Sequence, residues 1–176
     1  MSRRWILWTP LVVFGLILML VLWGMNRERD DFVRSQLIGD QVPAFDLPPA
    51  VAGKPGLSSA DLAEGTPRLV NFFGSWCIPC RAEAPQLEAL AEAGVPIDGI
   101  ALRDEPAKVA QFLDQYGDPF QRIGADRDGR LQVLFGASGV PETYLVGSDG
   151  TILAQHIGDI RAEDVPGLIR AWKAAP

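Results

Sequence analysis

Cysteine and histidine are scarce in this chain: 176 residues contain two of the first and one of the second. A structural zinc site needs four ligands, and here Cys77 and Cys80 would supply half of one, with His156 the sole histidine to add. A framework of structural disulfides is lacking as well. A domain of this size buries enough core without staples, which leaves both cysteines available for chemistry. Internal repeats and low-complexity tracts are missing too, and a single domain of ordinary size follows once an apolar N-terminal segment is set aside. Basic residues are in deficit: 16 Lys and Arg face 22 Asp and Glu, for a net charge of −6. With Arg3 and Arg4 before the apolar segment, the remainder has 14 basic and 22 acidic residues and no basic stripe. Phosphate backbones find nothing to bind there, so nucleic acid is not expected as a partner.

What the N-terminal part has is a run of 21 uncharged residues, Trp5 to Met25, preceded by Arg3 and Arg4 and followed by a mixed charged cluster. Its length suits a membrane span better than the shorter apolar region of a cleavable signal peptide, and no small-x-small cleavage site follows it. A buried core helix is the alternative, and Pro10 a point where the helix would kink. The reading is an uncleaved anchor over residues 1–25, a polar linker over 26–36 and a globular domain over 37–176. By the positive-inside rule the basic side stays in the cytoplasm, with Trp5, Trp8 and Trp23 as interfacial aromatics. The domain is then expected outside the cytoplasmic (inner) membrane of a bacterium, in the periplasm.

Within the domain, Val42 to Pro48 reads as an extended entry, because a residue before proline is pushed from the helical region. Arg68 to Phe73 is a short apolar run rich in strand formers, bounded by Pro67 and Gly74, and predicts a buried central strand. A helix follows from Ile78 to Ala93, with Leu87, Leu90 and Ala91 on one face and Gly94 at its end. A strand over Ile97–Leu102 and a helix over Pro106–Tyr116 complete a βαβα unit with parallel strands. The last third predicts a hairpin, Val140–Val146 with Thr151–Ile157, and a closing amphipathic helix over Arg161–Lys173. The sum is an α/β sandwich.

Cys77 and Cys80 fall where the first strand meets the first helix, within one turn of each other and close enough for a disulfide. Unpaired amides and the positive dipole end at a helix N-terminus stabilise a thiolate, so Cys77 is expected as the exposed attacking group. Cys80, one turn further in, would resolve the mixed disulfide. Two alternatives stand beside this. Half a zinc site lacks its other ligands, and a purely structural bridge over so tight a loop constrains the unfolded chain little. Trp76 is either core filler or a flat surface beside the reactive sulfur. Pro85 either kinks the helix or is tolerated in it. Glu83, three residues after Cys80, lies near the same helix face. It is either a solvated acid or, if buried, a group that opposes thiolate formation and shuttles a proton to Cys80. His156 reads as ordinary structure.

Trp76-Cys77-Ile78-Pro79-Cys80, Pro85, and Val140-Pro141 before a strand resemble the thioredoxin superfamily over about Leu37 to Trp172. More narrowly, four stretches are similar to the membrane-tethered DsbE/CcmG branch of cytochrome c maturation. They are Leu37-Ile38-Gly39 with Val42 to Pro48, Asn71 to Glu83, Arg103-Asp104, and Gly139 to Tyr144. The resemblance implies a thioredoxin-like sandwich, a mixed central sheet flanked by helices, preceded by one transmembrane helix. It implies that Cys77 and Cys80 form a redox-active disulfide with no other cofactor and no metal. It also implies that Pro141 follows a cis peptide bond and faces that disulfide, and that backbone beside it, at Val140, pairs with an extended partner. It favours Glu83 as a catalytic acid and places Glu142 and Trp76 with Val140 and Pro141 at the partner surface. The implied partners are apocytochrome c or a cytochrome c maturation thiol protein, with electrons from a membrane thiol reductant of the CcdA or DsbD kind. Where the family often has Tyr-Lys-Asp and Tyr-Gly, this chain has Leu102-Arg103-Asp104 and Ser138-Gly139, differences that bear on partner specificity. The competing functions are a tethered thioredoxin-like oxidoreductase of broader specificity and a copper or haem chaperone using the thiols as ligands.

Overall fold

A computed structural model of the chain describes residues 4–25 and 37–176, with side chains in the first stretch described for residues 10–20. The expected linker, 26–36, lies outside the described residues, as does Arg3. The chain divides into two units, 1–30 and 31–176. In the first, helix α1 covers Arg4–Met25 and continues through Pro10. Residues 10–20 of this helix are exposed. Among the described residues no helix is long and apolar enough to cross a membrane.

The second unit opens with a small antiparallel pair, β1 (Asp46–Leu47) and β2 (Leu57–Ser58), then a 3-10 turn at Asp61–Ala63. The main run is β3 (Arg68–Phe73), α2 (Ile78–Glu92), β4 (Ile97–Leu102), α3 (Pro106–Tyr116), β5 (Ile123–Asp126), α4 (Arg130–Leu134), β6 (Glu142–Val146), β7 (Ile152–Ile157) and α5 (Val165–Ala174). The sheet order is β5-β4-β3-β6-β7, with β4 parallel to both β3 and β5 and the β3–β6 and β6–β7 pairs antiparallel. This is the mixed sheet of a thioredoxin-like fold. Its elements match the periodicity closely, with three differences. β2, the 3-10 turn, β5 and α4 join the predicted set. The first hairpin strand begins at Glu142 rather than Val140, after Pro141, which has no N–H for the ladder. The closing helix begins at Val165 rather than Arg161, because Arg161 N–H donates to Asp164 Oδ2 in a turn (2.8 Å) and Pro166 then suits the first helical turn.

Alternation along β3 divides the core. Leu69 and Phe73 face one apolar cluster with Leu87 and Leu90 of α2, Val109 and Phe112 of α3 and Leu168 of α5. Val70 and Phe72 face the other, with Leu57, Leu62, Leu131, Phe135 and Tyr144. Each fully buried side chain of this size contributes roughly 1.5–3 kcal/mol of transfer free energy before entropy is subtracted. Asn71 lies between Leu69 and Phe73 in β3 and shares their face, so the strand carries one amide into the layer beneath α2.

Candidate active site

The chain leaves β3 at Phe73 and turns at once. Cys77 N–H donates to the Gly74 carbonyl (3.0 Å), closing a tight turn across Ser75 and Trp76. Glycine is required at 74: a Cβ there would sit 2.8 Å from two indole atoms of Trp76. Cys77 is the N-cap of α2, in extended backbone, and its Sγ accepts from the Cys80 N–H at 3.1 Å. Cys77 and Cys80 are bonded as a disulfide, Cα to Cα 5.3 Å. One expectation needs correcting. Cys77 is 4% exposed against 1% for Cys80, so both sulfurs are buried in the oxidised protein. The bridge folds the Cys77 Sγ onto the first turn of α2, where the Val140 carbonyl oxygen lies 3.6 Å away.

The Val140–Pro141 peptide is cis, as the resemblance implies. Pro141 is buried and Val140 half-buried, so this loop meets the disulfide through its backbone. Trp76 is 53% exposed and Ile78 76%, which leaves apolar surface beside the bridge. The Trp76 indole Nε1–H donates to the Leu102 carbonyl (3.2 Å), so the ring is anchored at one edge and is not core filler. A groove of about 460 Å³ runs from it between α2 and α3, lined by Ser75, Trp76, Arg81, Lys108, Phe112 and Tyr116 among others. Pro85 sits on the exposed side of α2 without ending the helix.

Glu83 is fully buried. Its Oε1 accepts from Asn71 Nδ2 (3.0 Å) and its Oε2 from the Ile160 N–H (3.0 Å). Burial raises its pKa from 4.5 to about 7, opposed by those two hydrogen bonds and assisted by the Asp159 charge. The carboxyl therefore exchanges its proton near neutrality, one helical turn from Cys80. Asn71 Nδ2 also donates to Thr143 Oγ1 (2.9 Å), while Asn71 Oδ1 is buried with no hydrogen-bond partner among the described residues.

Glu142 is also buried, and its position differs from a partner surface. Oε1 accepts from Ser138 N–H (2.7 Å), Ser138 Oγ–H (2.6 Å) and Gly139 N–H (3.1 Å). Oε2 accepts from Gln155 Nε2 (2.6 Å) and the Tyr144 hydroxyl (3.1 Å). With its lone pairs turned inward, Glu142 braces the loop that carries Val140 and Pro141. Burial and the Glu142 charge push the Tyr144 hydroxyl pKa upward, so Tyr144 stays a donor. His156 is buried in β7, with Nε2 3.3 Å from the Asp159 carbonyl. Among the described residues no group of three or more His, Cys, Asp or Glu side chains is set to hold a metal ion.

Two side chains at the site had no assigned role in the sequence. Asn71 carried a signal, a single amide inside an apolar strand run. Asp104 was visible only as part of a resemblance, yet its carboxylate takes both the Ser75 N–H (2.5 Å) and the Ser75 hydroxyl (2.8 Å).

A Cys-x-x-Cys disulfide capping a helix, with the backbone of a cis-proline loop against its first sulfur, defines this fold as a thiol:disulfide oxidoreductase. Residues 38–155 match the AhpC/TSA family, and the chain belongs to that family and to its DsbE-type thiol:disulfide interchange proteins. It is 38% identical over 158 residues to the thiol:disulfide interchange protein DsbE of Pseudomonas fluorescens biotype C, covering 90% of this chain and 87% of the relative. HelX of Rhodobacter capsulatus, also a thiol:disulfide interchange protein, is 36% identical over 160 residues, covering 91% and 90%. Among solved structures, a secreted Mycobacterium tuberculosis disulfide oxidoreductase homologous to Escherichia coli DsbE is similar with a TM-score of 0.62 and 26% identity, covering 73% of this chain and 96% of that one.

Proposed function

We propose that this protein is a membrane-tethered reductant of one class of protein disulfide in cytochrome c maturation, acting through Cys77 on the periplasmic side. The observation that carries the reading is the contact of Cys77 Sγ with the Val140 carbonyl at 3.6 Å, which puts the attacking sulfur beside backbone that an extended partner can pair with. In the reduced protein the Cys77 thiolate attacks one sulfur of the partner disulfide. That bond breaks, a mixed disulfide forms, and the first partner sulfur leaves as a thiolate and is protonated. Glu83 takes the proton of the Cys80 thiol. Cys80 then attacks Cys77, which re-forms the Cys77–Cys80 bond and releases the second partner thiol. Two electrons pass to the partner, and a membrane thiol reductant of the CcdA or DsbD kind restores them.

The anchor, the linker and the export of the domain belong to the same reading, supported by the 21 uncharged residues after Arg3 and Arg4. Apocytochrome c, with its Cys-x-x-Cys-His haem attachment pair, or a thiol protein that serves it, is the substrate class. The test is to express Cys80→Ala in cells and identify the trapped partner by mass spectrometry. Covalent complexes through Cys77 with cytochrome c maturation proteins are expected. A broad set of unrelated partners would instead indicate an oxidoreductase of wide specificity, and trapping through Cys80 in Cys77→Ala would reverse the roles of the two sulfurs.

A further inference from the structure

We infer that Asp104 is a positioning residue for the reaction: through Ser75 it holds the turn that presents Trp76 and Cys77 to the partner. This rests on the reading of Cys77 as the attacking sulfur, and it adds a residue that touches neither cysteine.

The Gly74–Trp76 turn is held by bonds to five of its polar groups. The Gly74 carbonyl accepts from Cys77 N–H (3.0 Å). The Ser75 carbonyl accepts from Arg81 Nη2 (2.8 Å), and the Trp76 indole donates to the Leu102 carbonyl (3.2 Å). The Ser75 N–H and hydroxyl both donate to the Asp104 carboxylate, one to each oxygen. Hydrogen bonds with an ionised donor or acceptor are roughly twice as strong as neutral ones, and Asp104 supplies two of the three such bonds on this turn, Arg81 the third. Oδ1 also accepts from the Glu105 N–H (2.9 Å), which fixes the carboxylate on its own backbone at the entry to α3.

A second observation points the same way. Among the described residues Arg103 is the one non-glycine residue with positive φ, at +47°. An L side chain enters this region at a cost, and residues so held gather where geometry matters to function. Arg103 is kept there by its N–H bond to the Asp126 carbonyl (2.9 Å) and by its guanidinium lying over Gly129, where a Cβ would be 2.6 Å from Nε. The consequence of that reversal after β4 is the placement of the next residue, Asp104, against the Ser75 turn. The strained residue and the clamp are adjacent in sequence and serve one geometry.

Loss of the clamp should let the turn drift. Cys77 then loses its fixed place at the start of α2, where Cys80 N–H meets its sulfur at 3.1 Å, and Trp76 loses its fixed edge. The comparison that isolates this effect is between Asp104→Ala and Asp104→Asn. Both remove the charge, and only the second keeps an oxygen for the Ser75 N–H. Three readouts apply to the reduced full-length protein in detergent: the emission of Trp76, taken as the difference from a Trp76→Phe background, the pH profile of Cys77 alkylation, and steady-state reduction of a synthetic peptide with an oxidised Cys-x-x-Cys-His pair.

In Asp104→Ala the Trp76 emission is expected to shift to the red, and the alkylation midpoint to lie above that of Asp104→Asn. The KM for the peptide is expected to rise by roughly tenfold to a hundredfold with a smaller change in kcat, with Asp104→Asn restoring most of it. Ser75→Ala, which removes the hydroxyl bond alone, should show smaller effects of the same sign and serves if Asp104→Ala does not fold. Alanine and asparagine variants that coincide in emission and pH profile, whatever their melting temperatures, would overturn the inference. A wild-type protein that fails to reduce the peptide would count against the proposed substrate class, while emission and pH profile would still decide the clamp.

Discussion

At the scale of single residues, the Glu83 carboxyl is held by groups that lie far from it in the chain. Helical spacing says which face a carboxyl shares with Cys80, but the group that covers it, the Ile160 backbone, is 77 positions away in the chain. Its folded pKa of about 7 stands above the 4.5 of an unperturbed glutamate. Between those values the folded protein keeps a proton that the unfolded chain has lost, so stability falls as pH rises through the window. The full loss, reached above about 7, is on the order of 3 kcal/mol. Glu83→Gln keeps an oxygen for Ile160 N–H and carries no charge. Urea unfolding at a series of pH values should show the slope between pH 5 and 7 flattened in this variant; an unchanged slope would mean that another group carries it. The same variant should lower at least one thiol pKa, measured by pH-dependent alkylation, and slow reduction of the partner, because the proposed mechanism has Glu83 accept the Cys80 proton. Gly74 makes a second prediction at this scale. Gly74→Ala pushes a methyl group into the Trp76 indole, and the expected result is a displaced ring, seen in its fluorescence, with a stability loss of roughly 1–3 kcal/mol.

At the scale of elements, long periodic segments were legible and short ones were not. β3, α2, β4 and α3 lie within a residue of their predicted bounds because each carries a full apolar pattern and a Gly or Pro boundary. β5 reads Ile-Gly-Ala-Asp and has little intrinsic strand preference; it is a strand because β4 pairs with it and Leu47 and Leu57 pack onto Gly124, where a Cβ would be 2.9 Å from Leu47. α4 has five residues and no sequence pattern long enough to read. The resemblance marked Glu142 beside the cis-proline, but its bracing contacts follow from β7, which brings Gln155 to it, and from the Ser138–Gly139 backbone. Glu142→Ala removes the acceptor of five hydrogen bonds, two of them from the buried Tyr144 and Gln155, whose remaining partners are the Phe135 carbonyl and the Tyr144 hydroxyl. The expected cost is about 3 kcal/mol or more in chemical denaturation. Partner reduction should fall as well, because the loop holding Val140 and Pro141 loses its brace. Arg68 and Asp98 form a contrasting element-level pair, bonded at 2.9 Å across the first residues of β3 and β4. Burial raises the Asp98 pKa against the pull of Arg68. Asp98→Ala strands a buried guanidinium and should cost about 3–5 kcal/mol, with no specific effect on the thiol titrations.

For the whole molecule, the question is what residues 1–36 contribute to the domain. Among the described residues, both apolar clusters, with the half-buried residues packed against them, are drawn from Leu37 onward. A chain beginning at Leu37 should therefore fold, with the thermal midpoint and Cys77 alkylation profile of the full protein. If the proposed anchor is real, the shortened chain, exported with a cleavable signal, is recovered from the soluble periplasm rather than the membrane fraction. The larger effect should fall on re-reduction. A tether confines the domain to a layer next to the membrane, where its effective concentration relative to an embedded thiol carrier can reach the millimolar range. Release into the compartment removes that advantage without touching a single contact in the site, and linked encounters gain roughly 10² or more from such confinement. In the oxidising compartment of the proposed reading, a released domain should meet oxidants more often than its electron donor. Its Cys77–Cys80 pair should then accumulate as the disulfide in cells, read by a gel shift after thiol trapping, while the full-length protein remains largely reduced. Equal redox states for the two forms would show that the donor reaches the domain without a tether, and membrane recovery of the shortened chain would place the attachment in the domain itself.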